Sequence, residues 1–240
     1  KRVILRAEFN VPTDKQGNIS EDTRIIKTLP TIKYILENGA KQLIIITHFG
    51  RPKGKFDEKY KIDKIAKRLE ELLGEKVMKI DEVCPNEVNE NTKIVMLENL
   101  RFTTEEESND ESFAKSLAKL ADIYVNDAFG VCHRSHSSVD AITKFLPSFA
   151  GLLLQKEIDT LNEILKCHDK PLTLIVGGAK IDTKIGVLKN FVNKADFVLV
   201  GGGIANTFLF SEGFDIGNSL CEKDKLSTAQ EIMLDFEAHD

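Results

Sequence analysis

The sequence predicts an α/β protein with two parallel-sheet domains that are joined by a long helix, the second domain being incomplete. Short apolar runs alternate with amphipathic helical segments along the chain, which is typical of βαβ units. This alternation begins again near Pro171, after a long helical segment. The later part contains only two clear strands, fewer than the roughly five or six of a usual sheet. We therefore expect a first domain at 1–150, a connecting helix and hinge at 151–170, and a partial second domain at 171–240.

The first domain is predicted to be a Rossmann-like sheet with its helices. Apolar residues occupy alternate positions from Val3 to Phe9, which is typical of a strand. Helical spacing over RIIKTLPTIKYILENG predicts a helix that ends on Gly39 and is kinked or split at Pro30. The continuous apolar run KQLIIIT predicts a strand buried on both faces. Further along we expect a helix over KIDKIAKRLEELLG, strands over KVMKI and NTKIVMLEN, a helix over ESFAKSLAKLA and a strand over DIYVNDAFG.

The second domain is also predicted to be Rossmann-like. The long helix AGLLLQKEIDTLNEILK, whose Leu and Ile residues form one apolar stripe, leads into it. Two apolar strands follow, within PLTLIVGGAK and ADFVLVGGG, and each is followed by a helix, over DTKIGVLKNFVNK and IANTFLF. A last helical stretch lies near STAQEIMLDFEAH.

Composition argues against several classes of partner. The chain has 240 residues, of which 42% are hydrophobic and 30% charged, as in a soluble globular protein. A formal net charge of -5 argues against a nucleic-acid partner, which requires a clustered basic surface. No apolar stretch approaches the about 20 residues that cross a bilayer, so we expect no membrane partner. The cysteines form no Cys-x-x-Cys pair, which indicates free thiols in a reducing, cytoplasmic compartment: Cys84, Cys132, Cys167 and Cys221.

Arginines follow the ends of several predicted strands. Lysine is the usual cation of this chain, which has only seven arginines. Arg51, Arg101 and Arg134 come directly after strands, and His48 lies in the same loop as the first of them. Since the carboxyl ends of parallel strands line the binding crevice, and the Arg fork binds phosphate or carboxylate bidentately, these positions predict a site for a small, multiply charged anion. The alternative is that the arginines are scattered surface residues or structural ion pairs.

The motif NDAFGVCHRSHSS raises the question of a metal site. A structural zinc requires four ligands, and no second Cys or His pair lies at a suitable spacing from Cys132, His133 and His136. Arg134 beside a cation is electrostatically unfavourable. We therefore expect no metal site here, with Arg134 as the principal anion donor, His133 in support and Cys132 as a buried small hydrophobe.

Glycine runs follow both predicted strands of the second domain. VGGAK and VGGG each lie between a strand and a helix, where exposed N–H groups can hold phosphate. Lys180 and Lys184, four apart, are expected on one helix face. These features predict a nucleotide site, and the alternative is that the glycines only form tight strand-to-helix turns. Together the two halves indicate phosphoryl transfer across a cleft that closes around its substrates.

The ordered motifs resemble those of the phosphoglycerate kinase family. The motifs that carry the resemblance are RAEFNVP, the TRI around Arg24, THFGRP, LENLRF, YVNDAFG with HRSHSS, VGGAKIDTKIGVL and VGGGIANTFL. They cover essentially the whole chain. The resemblance implies a glycolytic kinase that transfers a phosphoryl group between ATP and the carboxyl group of 3-phosphoglycerate, giving ADP and 1,3-bisphosphoglycerate. It also implies Mg²⁺ on the nucleotide and hinge bending, and we expect a cytoplasmic monomer.

The resemblance also implies roles for individual residues. Arg24 and Lys184 would be catalytic, Arg24 beside the reacting carboxyl and Lys184 following the phosphoryl group as it moves. The substrate-binding residues would be Glu8, Asn10, Arg24, His48, Arg51, Arg101, His133 and Arg134. The nucleotide-binding residues would be Gly177, Gly178, Lys180, Lys184, Gly201 and Gly202.

Some positions depart from the family pattern. The family usually has Asp where this chain has Glu8, and Leu where it has Phe49. The chain opens without Met inside a strand, and the family's later acidic residue and Gly-Gly-Asp loop do not occur, so we expect truncation at both ends. We expect weak substrate binding and little or no turnover from this polypeptide alone. The alternatives are a non-catalytic fragment that binds phosphorylated acids, a kinase for a different phosphorylated acid, and a split protein whose partner chain supplies the rest.

Overall fold

The computed structural model describes residues 1–166 and 170–238, and it confirms the predicted α/β class. The chain forms two compact units, one of residues 1–161 and the other from Asn162 onward. The division falls within the helix Leu152–Lys166.

The first unit is built on a six-stranded sheet in which every described neighbour pair is parallel. The strand order is β3-β4-β2-β1-β5-β6, so β1 lies between β2 and β5 near the middle of the sheet. The strands are β1 (Arg2–Arg6), β2 (Gln42–Ile46), β3 (Met78–Lys79), β4 (Ile94–Met96), β5 (Ile123–Asn126) and β6 (Ser148–Ala150).

Helices cover both faces of this sheet, and one apolar cluster lies on each face. Val3 and Leu5 of β1 belong to one cluster and Ile4 to the other. Both faces of this strand are therefore buried, whereas the sequence pattern predicted apolar residues only at alternate positions. Arg6, at the end of β1, is also inaccessible to solvent. The helices are α1 (Thr23–Glu37), α2 (Asp63–Leu73), α3 (Thr104–Glu107), α4 (Glu111–Ala118) and the beginning of α5 (Leu152–Lys166).

Helix α1 differs from the prediction at Pro30 and agrees with it at Gly39. The helix is not split at Pro30, since it runs from Thr23 to Glu37 as one element. It ends as predicted, because Gly39 follows it with a φ of 80° and donates its N–H group to the Leu36 carbonyl at 3.3 Å. Pro30 cannot donate to the Ile26 carbonyl, and both residues are exposed, so the missing hydrogen bond lies on the solvent side of the helix. Strand β6 was not predicted, since its three residues are all exposed and carry no apolar pattern. Such a short edge strand has little sequence signature.

The second unit contains a two-stranded parallel sheet, with one face packed on helices. The strands are β7 (Thr173–Gly178) and β8 (Phe197–Gly201), and the helices are α6 (Ile185–Phe191), α7 (Gly202–Ser211) and α8 (Leu226–Glu237). No described helix of either unit has the length and apolar character to cross a membrane. Cys84, Cys132 and Cys221 carry free thiols, and Cys167 lies outside the described residues.

The beginning of α5 is fixed to the end of β5 by a complete set of hydrogen bonds. Asp127 Oδ1 accepts from the backbone N–H groups of Leu153 and Leu154 at 2.9 and 3.1 Å. The N–H group of Gly151 donates to a β5 carbonyl at 2.7 Å, and that of Leu152 donates to the Thr31 hydroxyl at 3.0 Å. The first N–H groups of a helix lack partners within the helix, and here side chains and the sheet supply them.

We expect Gly151→Ala to lower the free energy of unfolding of the first unit by about 1–3 kcal/mol. A Cβ at this position would overlap the Asp127 carboxylate, which must then move and give up its bonds to α5. Urea denaturation followed by circular dichroism measures the change. Gly130→Ala is the matched control, since its Cβ would lie 3.7 Å from the nearest heavy atom, in ordinary contact. Equal stability of the two variants would contradict this account of the helix start.

Candidate functional site

A cavity of about 380 Å³ lies at the carboxyl ends of the strands in the first unit. It opens where the strand order reverses around β1, which is where ligands bind in open parallel sheets. Five cationic and three acidic side chains line it, in a chain whose net charge is negative. The lining residues are Glu8, Asn10, Arg24, Lys27, His48, Arg51, Arg101, Asp127, Phe129, Gly130, Val131, Arg134, Leu153 and Glu157.

Arg24 and Glu8 form an ion pair on one side of this cavity. Arg24 Nη1 donates to Glu8 Oε1 at 2.9 Å. The Arg24 side chain is 48% exposed, whereas that of Glu8 is 13% exposed. Glu8 Oε2 is buried without a hydrogen-bond partner. The Arg24 fork is therefore accessible from solvent, and the pair leaves one buried carboxylate oxygen that can accept a hydrogen bond.

His48 lies in the wall of the cavity and is only 2% exposed. Its Nδ1 is 3.0 Å from Arg6 Nη2, and its Nε2 is 3.9 Å from Glu8 Oε1. Burial, followed by the positive charges of Arg6 and Arg101, holds the pKa of His48 far below its usual value. The imidazole is therefore neutral at physiological pH.

Arg101 and Asn10 hold the loop that carries Arg51. Arg101 is 4% exposed, and its Nη1 donates to the Gly50 carbonyl at 3.0 Å. The Gly50 N–H group donates to Asn10 Oδ1 at 2.8 Å. Arg101 Nε lies 3.1 Å from Glu107 Oε1, an ion pair that opposes the effect of burial, which lowers the pKa of Arg101. Arg51 itself is exposed and lines the cavity.

The motif after β5 contributes Arg134 to the cavity, and its other predicted residues lie elsewhere. His133 is exposed and is not among the lining residues. His136 is buried, with Nδ1 at 3.8 Å from Glu106 Oε1. Cys132 is exposed, contrary to the expectation of a buried hydrophobe, because it lies in a turn beyond the strand. Among the described residues no group of three or more His, Cys, Asp or Glu side chains could hold a metal ion.

A buried polar network that was not predicted lies directly behind the cavity. Arg6 Nε donates to Ser138 Oγ at 2.9 Å, and Ser138 Oγ donates to Glu106 Oε1 at 2.6 Å. The Tyr124 hydroxyl donates to the Ser138 carbonyl at 2.7 Å. Arg6, Glu106 and Ser138 are all inaccessible to solvent. A signal was present, since an arginine inside an apolar strand needs buried partners.

The glycines of the second unit lie side by side at the ends of its two strands. Gly177 pairs with Gly201, and Gly178 bridges to Gly202. A Cβ on Gly202 would lie 3.0 Å from the Gly178 carbonyl oxygen, and its φ of 66° also favours glycine. The two strand ends therefore approach closely because they carry no side chains.

The expectation that Lys180 and Lys184 share a helix face is wrong. Lys180 lies in the segment after β7, and Lys184 is the residue before α6. The chain turns between them, with the Lys184 N–H group donating to the Ile181 carbonyl at 2.7 Å. Both lysine side chains are exposed.

Comparison with known proteins identifies the family. The family profile described as phosphoglycerate kinase matches residues 1–240. The chain belongs to the phosphoglycerate kinase family. It is 49% identical over 239 residues to the phosphoglycerate kinase of Dictyoglomus turgidum and 46% identical to that of Moorella thermoacetica, covering 97% of this chain in each case. The phosphoglycerate kinase structure from Coxiella burnetii superposes on this chain with a TM-score of 0.86 at 39% sequence identity. The aligned region covers 100% of this chain and 61% of the Coxiella chain.

The chain spans about 60% of the length of the curated phosphoglycerate kinases that it matches. Seven of the eight substrate residues implied by the resemblance line one cavity, and His133 does not. Lys27, Asp127, Phe129 and Glu157 also line it and were not predicted. Asp127 and the start of α5 line the cavity because distant segments pack together. A short sequence motif does not indicate such packing.

We expect His48 to make the first unit of this phosphoglycerate kinase family member less stable in acid. The unfolded chain takes up a proton at His48 below about pH 6.5, whereas the folded chain does not, so the free energy of unfolding falls as the pH drops below that value. The contribution is up to about 1.4 kcal/mol per pH unit. Urea midpoints between pH 8 and pH 5 should fall less steeply for His48→Gln than for the parent chain.

The matched control is His133→Gln, which changes an exposed histidine of the same unit. Its pH dependence should equal that of the parent chain. A parent and a His48→Gln variant with the same pH dependence would show that His48 is not kept neutral by the fold.

Proposed function

We propose that the first unit binds 3-phosphoglycerate and that the family's reaction is phosphoryl transfer between this acid and ATP. The observation that carries the proposal is the convergence of Arg24, Arg51, Arg101 and Arg134, with the neutral donor His48, on one cavity. A phosphate group carries about 1.5 to 2 negative charges at pH 7. Arginine forks match its oxygens bidentately, and partial burial strengthens each contact.

Within this proposal the arginines act by position and charge. His48, Arg51, Arg101 and Arg134 hold the phosphate of 3-phosphoglycerate, with Asn10 supporting the loop of Arg51. Arg24, at the more exposed side of the cavity, lies beside the carboxyl group and neutralises charge there. Glu8 Oε2, a buried acceptor without a partner, suits the substrate hydroxyl. His133 is placed by the resemblance only in support of this set.

The reaction requires no acid, base or covalent intermediate from the chain. A carboxylate oxygen of 3-phosphoglycerate attacks the γ-phosphorus of ATP, the bond from that phosphorus to the β–γ bridging oxygen breaks, and ADP and 1,3-bisphosphoglycerate form. Such chemistry depends mainly on orientation and on stabilisation of the phosphoryl charge. We propose Arg24 and Lys184 as the catalytic residues, with Mg²⁺ entering as part of the nucleotide substrate.

We propose the nucleotide site at the strand ends of the second unit. Gly177, Gly178, Gly201 and Gly202 leave backbone groups open at the start of α7, where N–H groups favour phosphate. Lys180 and Lys184, both exposed beside β7 and α6, are available to phosphate oxygens. Domain closure by hinge bending, a cytoplasmic location and a monomeric state complete the proposal.

A second candidate function is a non-catalytic protein that binds phosphorylated acids. It is favoured by one observation: the anion cavity is lined by residues of the first unit alone, whereas five of the six proposed nucleotide residues are exposed and Gly201 is half-buried. Binding of MgADP that Lys184→Met weakens would support the kinase. Binding of 3-phosphoglycerate without any binding of MgADP would support the second candidate.

We expect Arg134→Lys to weaken 3-phosphoglycerate binding about tenfold, since the charge stays but the bidentate fork is lost. Isothermal titration calorimetry measures the change. Arg2→Lys is the matched control, because Arg2 begins β1 and pairs with Asp122 outside the cavity. Unchanged affinity in Arg134→Lys would contradict bidentate phosphate binding at this residue.

We expect the 240-residue chain to turn over more slowly than about 1 s⁻¹, the low end of typical enzymes. The reason is that five of the six proposed nucleotide residues are exposed, at the end of a sheet with two described strands. A coupled assay with 3-phosphoglycerate and MgATP measures the rate, on a preparation whose intact mass matches the sequence. Turnover in the usual range would contradict the expectation of weak activity and would support the kinase itself.

A further inference from the structure

Arg6 is a buried arginine that the proposed function does not use. Its side chain has no exposure to solvent, although it ends a strand whose neighbours are apolar. Three of its nitrogens have partners: Nε donates to Ser138 Oγ at 2.9 Å, Nη1 donates to the Ala7 carbonyl at 2.6 Å, and Nη2 contacts His48 Nδ1 at 3.0 Å. Because burying a guanidinium group is costly, each of these contacts constrains where the group can lie.

The contact between Arg6 and His48 determines which imidazole nitrogen carries the proton. A guanidinium group has only donors and cannot accept a hydrogen bond. His48 Nδ1 must therefore be the acceptor, and a neutral imidazole then carries its single proton on Nε2. The Arg6 contact thus selects one tautomer and excludes protonation at Nδ1.

The Nε2 atom lies on the side of the ring that faces Glu8, another residue that lines the cavity. Its nearest acidic oxygen, Glu8 Oε1, is 3.9 Å away, which is too far for a hydrogen bond. Among the described residues Nε2 makes no hydrogen bond, and His48 lines the cavity. A bound oxyanion can accept this hydrogen.

We propose that Arg6 is a positioning residue that fixes His48 as the neutral Nε2–H tautomer, so that the cavity offers a fixed hydrogen-bond donor in place of a titrating cation. This inference rests on the proposed anion-binding function for its consequence, but the tautomer itself is independent of any ligand. His48 offers the same Nε2–H donor from weakly acidic to weakly basic pH, so anion binding does not require prior protonation of the imidazole ring.

The charges around His48 favour the neutral ring. Arg6 comes from β1, Arg101 from the turn after β4, and Arg134 and His136 from the segment after β5. Glu8, which follows β1, is the acidic group near the ring. Burial and these cations lower the pKa of His48, so a second proton is disfavoured even with a carboxylate nearby.

Arg6 cannot easily turn away from His48, because its other end is held by buried partners. Ser138 Oγ donates to Glu106 Oε1 at 2.6 Å, and the Ser138 N–H group donates to Glu106 Oε2 at 3.0 Å. Glu106 is inaccessible to solvent and balances the Arg6 charge through this hydroxyl. The hydrogen bonds from Ser138 to Glu106 and from Arg6 to Ser138 therefore hold the Arg6 guanidinium group in place against His48.

Nitrogen-15 NMR of the histidine-labelled 240-residue chain tests the tautomer directly, with His48 identified as the signal lost in His48→Gln. We expect the pattern of a neutral ring protonated on Nε2, unchanged from pH 8 to pH 5. A ring protonated on Nδ1, or an imidazolium near neutral pH, would overturn the proposal. This measurement decides the matter even where a substitution at Arg6 prevents folding.

Arg6→Met tests the role of the arginine, with Arg2→Met as the matched control in the same strand. We expect His48 in Arg6→Met to populate both neutral tautomers, because the donor that selects Nδ1 as the acceptor is gone, and His48 in Arg2→Met to behave as in the parent. A His48 signal in Arg6→Met that stays protonated on Nε2 alone would overturn the proposal.

Binding of inorganic sulfate, which stays divalent from pH 5 to pH 8, supplies the functional readout. We expect Arg6→Met to bind sulfate about tenfold more weakly than the parent, and to have a much smaller effect in a His48→Gln background, where no imidazole tautomer remains to be fixed. An equal effect of Arg6→Met in the two backgrounds would show a role that does not act through His48 and would overturn the proposal. Absence of sulfate binding to the parent would instead contradict the proposed function, while the NMR result still decides the tautomer.

Discussion

The guanidinium group of Arg6 has no contact with solvent and has to satisfy its donors inside the first unit. This constraint connects three segments that are far apart in the sequence. Arg6 ends β1, His48 follows β2, and Ser138 belongs to the segment after β5. Since these segments also form the walls of the cavity, the position of one buried cation determines the relative placement of the side chains that face the ligand.

The parallel sheet explains why the cationic residues meet. Strand β1 pairs with β2 on one side and β5 on the other, so the loops after all three strands emerge at the same edge. Arg51, Arg101 and Arg134 follow the strands β2, β4 and β5 at this edge, and α1 adds Arg24 and Lys27. A chain with a net charge of -5 therefore has five cationic side chains around one cavity. Two of the three acidic residues there have assigned partners: Glu8 pairs with Arg24, and Asp127 caps α5. The local field is positive although the chain as a whole is negative.

Features that depend on a local sequence pattern could be predicted, whereas features that depend on tertiary packing could not. The apolar runs of β2 and β5 and the arginines after the strands can be read directly, because strand direction places loop residues at a known edge. The contact between Arg6 and Ser138 could not be predicted, since the two residues lie more than a hundred positions apart in the sequence. The same limit explains the errors at Lys180, Lys184 and Cys132, where the chain turns within a few residues and helical or strand periodicity does not apply.

Calorimetric titration of the chain with 3-phosphoglycerate and with glycerate, the same acid without its phosphate, tests most directly whether the cavity binds a phosphorylated acid through its converging donors. The account predicts saturable binding of 3-phosphoglycerate and binding of glycerate that is at least about a hundredfold weaker, since several charged hydrogen bonds are lost. Equal affinity for the two acids, or no binding of 3-phosphoglycerate, would contradict it.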